Sequence, residues 1–125
     1  MFSTYPALVA AMKNLTQEPL TTSEQAQTLP VAEEEFKTRP NAESWGLITD
    51  ENEAGSLNGD NQKDDRAFAG SFDLFSYKRN GGGWISLIEK TLTDYCGASW
   101  ERSLSKQYER ENDIFHWEWT FEVMN

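Results

Sequence analysis

The chain has 125 residues, with 21 acidic against 11 basic side chains, a formal net charge of −10, one cysteine and one histidine. That length suits one domain over 1–125, able to bury roughly two-thirds of its unfolded surface without disulfides or metal. The lone Cys96 rules out an internal disulfide and points to a reducing site of synthesis. No apolar run is long enough to cross a bilayer, and residues 1–15 lack the basic and apolar regions of a signal peptide.

Ser3, Thr4, Tyr5 and Pro6 read as a helix start, with a hydroxyl cap and a proline in the first turn. Leu8, Val9, Met12 and Leu15 recur at helical spacing, giving a short amphipathic helix to about Asn14. Residues 16–28 are polar, contain Pro19 and read as loop. Val31, Ala32 and Phe36, bounded by Pro30 and Pro40, predict an edge strand whose Glu33-Glu34-Glu35 run discourages pairing with other chains. A firmer strand covers 44–49. Residues 50–65, rich in Asp, Asn, Gly and Glu, predict a long exposed loop or protruding hairpin with Asn58-Gly59 as its turn. Residues 67–78 return as a strand with aromatics on both faces, which suits a central strand or one with a face at an interface.

Asn80 and Gly81-Gly82-Gly83 punctuate the chain before a helix over 84–95, whose stripe is Trp84, Ile85, Ile88, Leu92 and Tyr95, with Gly97 as its C-terminal cap. A strand over 98–108 and a turn at 109–113 lead into the last strand. There Phe115, Trp117, Trp119, Phe121 and Val123 alternate with His116, Glu118, Thr120 and Glu122. That period of two marks one buried and one wet face. The pattern predicts an α+β fold: an antiparallel sheet, two helices packed on one face, and a long acidic loop between strands.

Charge is concentrated early. Between Glu18 and Asp65 stand 12 acids against Lys37, Arg39 and Lys63, which accounts for nine of the ten net negative charges. Such a field repels nucleic acid; it is either a solvated loop face or a surface that must meet DNA without holding it. Asp50, Asn52 and Gly55 resemble the start of a calcium loop, but Ala54 and Asn61 stand where oxygen ligands belong, so no calcium is expected. The three glycines could cradle an anion, yet no P-loop lysine follows. Cys96 and His116 form the only conceivable nucleophile pair, and one histidine cannot build a multi-histidine metal site. No catalytic residue, cofactor or metal is expected.

The order of segments carries a resemblance. Ser44-Trp45-Gly46-Leu47-Ile48-Thr49, an acidic stretch, then Gly70-Ser71-Phe72-Asp73-Leu74-Phe75-Ser76-Tyr77 are followed by the 84–95 helix, Ser99-Trp100-Glu101-Arg102, Tyr108-Glu109 and the closing alternation. The combination is similar to the tail terminator (tail-completion) and neck proteins of long-tailed phages and prophages, over about residues 44–123 and the opening helix. The resemblance implies two helices on an antiparallel sheet and no catalytic residues. It implies a homo-oligomeric ring, typically of six copies, that stops tail-tube growth and joins the tube to the head-completion or connector protein, with DNA passing through unbound. The protein would sit at the tail–head junction of the virion, having been made in the bacterial cytoplasm.

On this reading Asp50, Glu51, Glu53, Asp60, Asp64 and Asp65 line the lumen or face a partner, and Phe36, Phe75 and Tyr77 make subunit contacts. Two competitors stand beside it. One is an acidic inhibitor that mimics DNA with rows of carboxylates; the other is a small hydrolase using Cys96 and His116.

Overall fold

The computed structural model describes residues 4–18, 26–50 and 67–124. Helix α1 spans Tyr5–Lys13; Thr4 caps it from an extended backbone, its hydroxyl accepting from the Ala7 amide at 3.3 Å. Leu8, Val9 and Met12 form its buried stripe. Asn14 ends it, its side-chain amide donating to the Ala10 carbonyl at 2.9 Å.

The 16–28 stretch departs from a plain loop. β1 (Thr16–Gln17) and β2 (Gln27–Thr28) pair antiparallel. Buried Leu15 and Leu29 flank this ladder, and the Leu29 amide donates to the Leu15 carbonyl at 3.0 Å. Two apolar anchors thus hold together a ladder too short to show any periodicity.

The main sheet has five strands in the order β3-β4-β5-β7-β6: β3 Val31–Glu33, β4 Ser44–Asp50, β5 Ala67–Ser76, β6 Trp100–Glu109 and β7 Ile114–Met124. The expected edge strand exists, but it is shorter than predicted and runs parallel to β4. Glu34 turns the chain with φ +73, so Phe36 lies beyond the strand. The other three pairings are antiparallel, which gives an α+β fold with one parallel pair at its edge. β5 is the middle strand, as its two aromatic faces suggested.

Register decides which residues meet the helices. Ile48, Phe72 and Trp119 lie side by side across three strands, as do Gly46, Leu74 and Trp117. Gly46 has no room for a side chain, since a Cβ there would stand 2.5 Å from the Phe72 ring. Helix α2 (Trp84–Cys96) lays Trp84, Ile88 and Leu92 on the same face, where they join Leu8 and Met12 of α1 in one core. Both helices therefore cover one side of the sheet. The closing alternation is realised: Trp117, Trp119, Phe121 and Val123 are buried on this side and Phe115 packs against the same core. At roughly 25 cal/mol per Å² of apolar surface removed from water, each such side chain contributes about 1.5–3 kcal/mol.

Candidate functional site

The other face of the sheet carries no helix, yet it is not simply wet. Trp45, Phe75 and His116 occupy matched positions on β4, β5 and β7. Phe75 stacks on Trp45 (centroids 6.0 Å, planes at 18°) and on His116 (4.4 Å, 17°). Tyr77 continues the row edge-on to Trp45 at 5.6 Å. Arg39, arriving from the β3–β4 connection, lies 5.1 Å above the Trp45 ring and donates from Nη1 to the Tyr77 hydroxyl at 3.3 Å. Trp45 is only 5% exposed, beside that guanidinium and the two neighbouring rings.

His116 is held from both sides. Its Nε2 is 2.8 Å from Asp73 Oδ1, and its Nδ1 is 3.5 Å from Glu109 Oε2. An imidazole that serves a nucleophile needs one nitrogen directed at that nucleophile and only the other at a carboxylate; here both face carboxylates. Cys96 ends α2 and packs against the core on the opposite side of the sheet, and burial pushes its thiol up to about 11. The Cys96–His116 pair weighed from the sequence is therefore not assembled.

At one end of the sheet the close of β5, the close of β6 and the start of β7 enclose a cleft of about 600 Å³, lined by Tyr77, Arg79, Tyr108, Asp113 and Phe115. Tyr108 packs on Phe115 at 5.0 Å, and Arg79 lies 5.8 Å from the centroid of the Phe115 ring. The Tyr108 hydroxyl donates to Asp113 Oδ1 at 2.6 Å, a bond that raises the phenol above its ordinary pKa. Tyr77 and Tyr108, 46% and 47% exposed, are the exposed large hydrophobics among the described residues. At the far end, Asp50, Glu33 and Glu34 act on Tyr5. Its hydroxyl is pushed up to about 12, by burial first and by those three charges next.

Of the residues singled out from sequence, Phe75 and Tyr77 fall in one aromatic row, while half-buried Phe36 lies in the β3–β4 connection. Asp50 closes β4. Glu51, Glu53, Asp60, Asp64 and Asp65 lie outside the described residues, as does the rest of the calcium-loop resemblance. The Gly81–Gly83 turn is a poor anion cradle: the Gly81 amide goes to the Lys78 carbonyl and the Gly82 amide to Asn80 Oδ1. Among the described residues no group of His, Cys, Asp and Glu could hold a metal ion, and no described helix is long and apolar enough to cross a membrane. Sequence reading missed Arg39, Asp73, Arg79 and Tyr108. Only Tyr108 carried a signal, as an aromatic among polar residues of a strand. Comparison with protein-family models, curated proteins and solved structures finds no match.

Proposed function

We propose that this chain is a non-enzymatic assembly protein of the tail-terminator kind, which caps a phage tail tube as a ring of identical subunits and joins it to the head connector. The observation that carries the reading is the sheet end where Tyr77, Tyr108, Phe115 and Arg79 stand together at the surface. Tyrosine and arginine are residue types enriched at protein–protein binding hot spots, and two exposed tyrosines stand here beside Arg79. His116 is held between two carboxylates and burial raises the Cys96 thiol, so the two do not form a nucleophile pair.

Fold alone does not specify function, so the test is assembly. Phage particles lacking this protein are expected to carry tails of uncontrolled length and unjoined heads, and adding the purified protein restores joining. Normal tails in its absence refute the proposal. Isolation of the chain as a monomer bound to a DNA-processing enzyme refutes it in favour of the DNA mimic. The acidic stretch 50–65 is assigned in this reading to the lumen or to a neighbouring ring. Replacing its acids by serine is then expected to alter DNA ejection or joining.

A further inference from the structure

We infer that His116 is a proton-operated clasp: taking up a second proton draws Glu109 onto its Nδ1 and fastens the β6–β7 turn, which carries one wall of the aromatic cleft. A neutral imidazole has one N–H and one lone pair, and carboxylates only accept. Nε2 stands 2.8 Å from Asp73 Oδ1, so the single proton of the neutral ring belongs there. Nδ1 then turns its lone pair toward Glu109 Oε2, and the two sit 3.5 Å apart, longer than a hydrogen bond. A second proton converts that repulsive approach into a charge-assisted bond, whose ordinary length is about 2.7–2.9 Å. The clasp is built but not drawn tight.

The ring itself is fixed. Phe75 stacks on it at 4.4 Å and Asp73 holds its other nitrogen. Glu109, its side chain 36% exposed against 16% for His116, is the partner free to move. The Glu109 carbonyl accepts the Asn112 and Asp113 amides at 3.2 and 2.9 Å, and Asp113 in turn accepts the Tyr108 hydroxyl. Drawing Glu109 in therefore orders Tyr108 and Asp113, both of which line the cleft. The groups facing the ring are Asp73 and Phe75 from β5 and, from β6, Glu109 and the uncharged Gln107 opposite in register. On β7 itself Glu118 shares the face and accepts from the Ser103 hydroxyl at 3.2 Å. Arg39, the cation of this row, lies over Trp45, with Phe75 between it and the imidazole. A proton shifts an equilibrium only by preferring one state, and only the doubly protonated ring can donate to both carboxylates. The fastening is present in that form and is lost as rising pH removes the proton.

The test uses the full chain in solution. The His116 Cε1 proton resonance reports the charge of the ring between about pH 5 and 8, the range in which histidine switches. Magnetisation transfer from water reports exchange of the Asn112 and Asp113 amides, each rate divided by its intrinsic value at that pH. As the ring takes its second proton, protection of both amides is expected to rise about two- to fivefold, the scale of one partly exposed ion pair. In Glu109→Gln, checked for native near-UV circular dichroism, the side-chain amide can meet either form of the ring, so the profile is expected to be flat. Should Glu109→Gln fail that check, Glu109→Ala takes its place with the same expectation. Protection that stays level in the wild type while the ring titrates overturns the clasp. So does a rise that persists undiminished in the Glu109 variant, or a ring that keeps one charge state across the range. The tail-length assay judges the assembly reading separately.

Discussion

Glu89 offers the sharpest test of how the helix layer is fastened to the sheet. Trp119 sits at the centre of the core with no exposure, and its strand cannot satisfy its indole N–H. The group points up at α2, where Glu89 Oε2 accepts it at 2.7 Å. The same oxygen receives Arg102 Nε at 2.8 Å and Nη2 at 2.7 Å, and the guanidinium lies 5.9 Å from the Trp119 ring. One carboxylate therefore ties α2, β6 and β7. Glu89→Ala strands a buried donor, costing about 1–3 kcal/mol. It also removes an ion pair whose side chains are 35% and 25% exposed, worth about 0.5–1 kcal/mol at that exposure. Better helix propensity returns only a few tenths of a kcal/mol. The expected loss is about 2–3 kcal/mol.

Glu89→Gln keeps an oxygen for the indole and is expected to lose about 1 kcal/mol, and Arg102→Ala a similar amount. Because the two partners share one oxygen, the double variant should fall short of additivity by about 0.5–1 kcal/mol. Urea unfolding followed by tryptophan fluorescence and far-UV circular dichroism measures all four. In thermal scans each kcal/mol appears as a fall of about 3–5 °C in Tm. If Glu89→Ala unfolds within about 0.5 kcal/mol of wild type, or if Arg102→Ala costs as much as Glu89→Ala, the indole bond is not what matters and the reasoning fails.

Gly46→Ala forces a methyl to 2.5 Å from the buried Phe72 ring and is expected to cost about 1–3 kcal/mol in urea unfolding; a neutral result would mean that the ring has room to move. His116→Phe preserves the stack on Phe75 but leaves Asp73 without its donor at 2.8 Å, so a loss of about 1–2 kcal/mol is expected, partly recovered by Asp73→Asn. Alkaline pH should destabilise the fold. Tyr5 and Cys96 have folded pKa values raised to about 12 and about 11 from 10.0 and 9.0, so their contribution is intact below 9.0 and is lost as pH climbs through the folded values. The urea midpoint is expected to be level from neutrality to pH 9.0 and to fall above it, less steeply in Tyr5→Phe; an equal slope in that variant counts against the Tyr5 assignment. A thiol held that high should also react slowly with iodoacetamide near pH 8 and rapidly once the chain unfolds.

How much could be read beforehand tracks how local each signal is. The closing alternation of Phe115, Trp117, Trp119, Phe121 and Val123 repeats at the strand period, and the Trp84–Ile88–Leu92 stripe at the helical one, so both emerge from spacing alone. Thr4 signals its cap within four residues. The β1–β2 ladder is two residues long and depends on Leu15 and Leu29, which sit outside it. The parallel pairing of β3 depends on where 34–43 deliver the chain to Ser44, a non-local matter. The site is harder still. His116 sits at a position that alternation labels wet, yet it is half-buried because Phe75 and Asp73 of β5 arrive beside it by register. Alternation names the face a residue takes; it does not name the neighbour across the strand.

The sheet edges bear on how copies can meet. β6 is a ten-residue edge strand, and a long open edge is ordinarily a template for another chain. Its ladder to β7 slips twice, between Arg102 and Leu104 and again between Leu104 and Gln107. Lys106 adopts φ +55 within it. Bulges of this kind bend and twist a strand, so its outer N–H and C=O groups do not present the straight repeat that an incoming strand needs. At the opposite edge β3 offers three residues before Glu34 turns away. Both edges are thus poor sites for joining sheets side by side. The surface better suited to docking is the strand ends, where contact runs through side chains, and there Arg39 couples the β3–β4 connection to Tyr77. Substituting Arg39 should therefore loosen Tyr77 and weaken any partner bound there, while leaving the helix-covered core untouched.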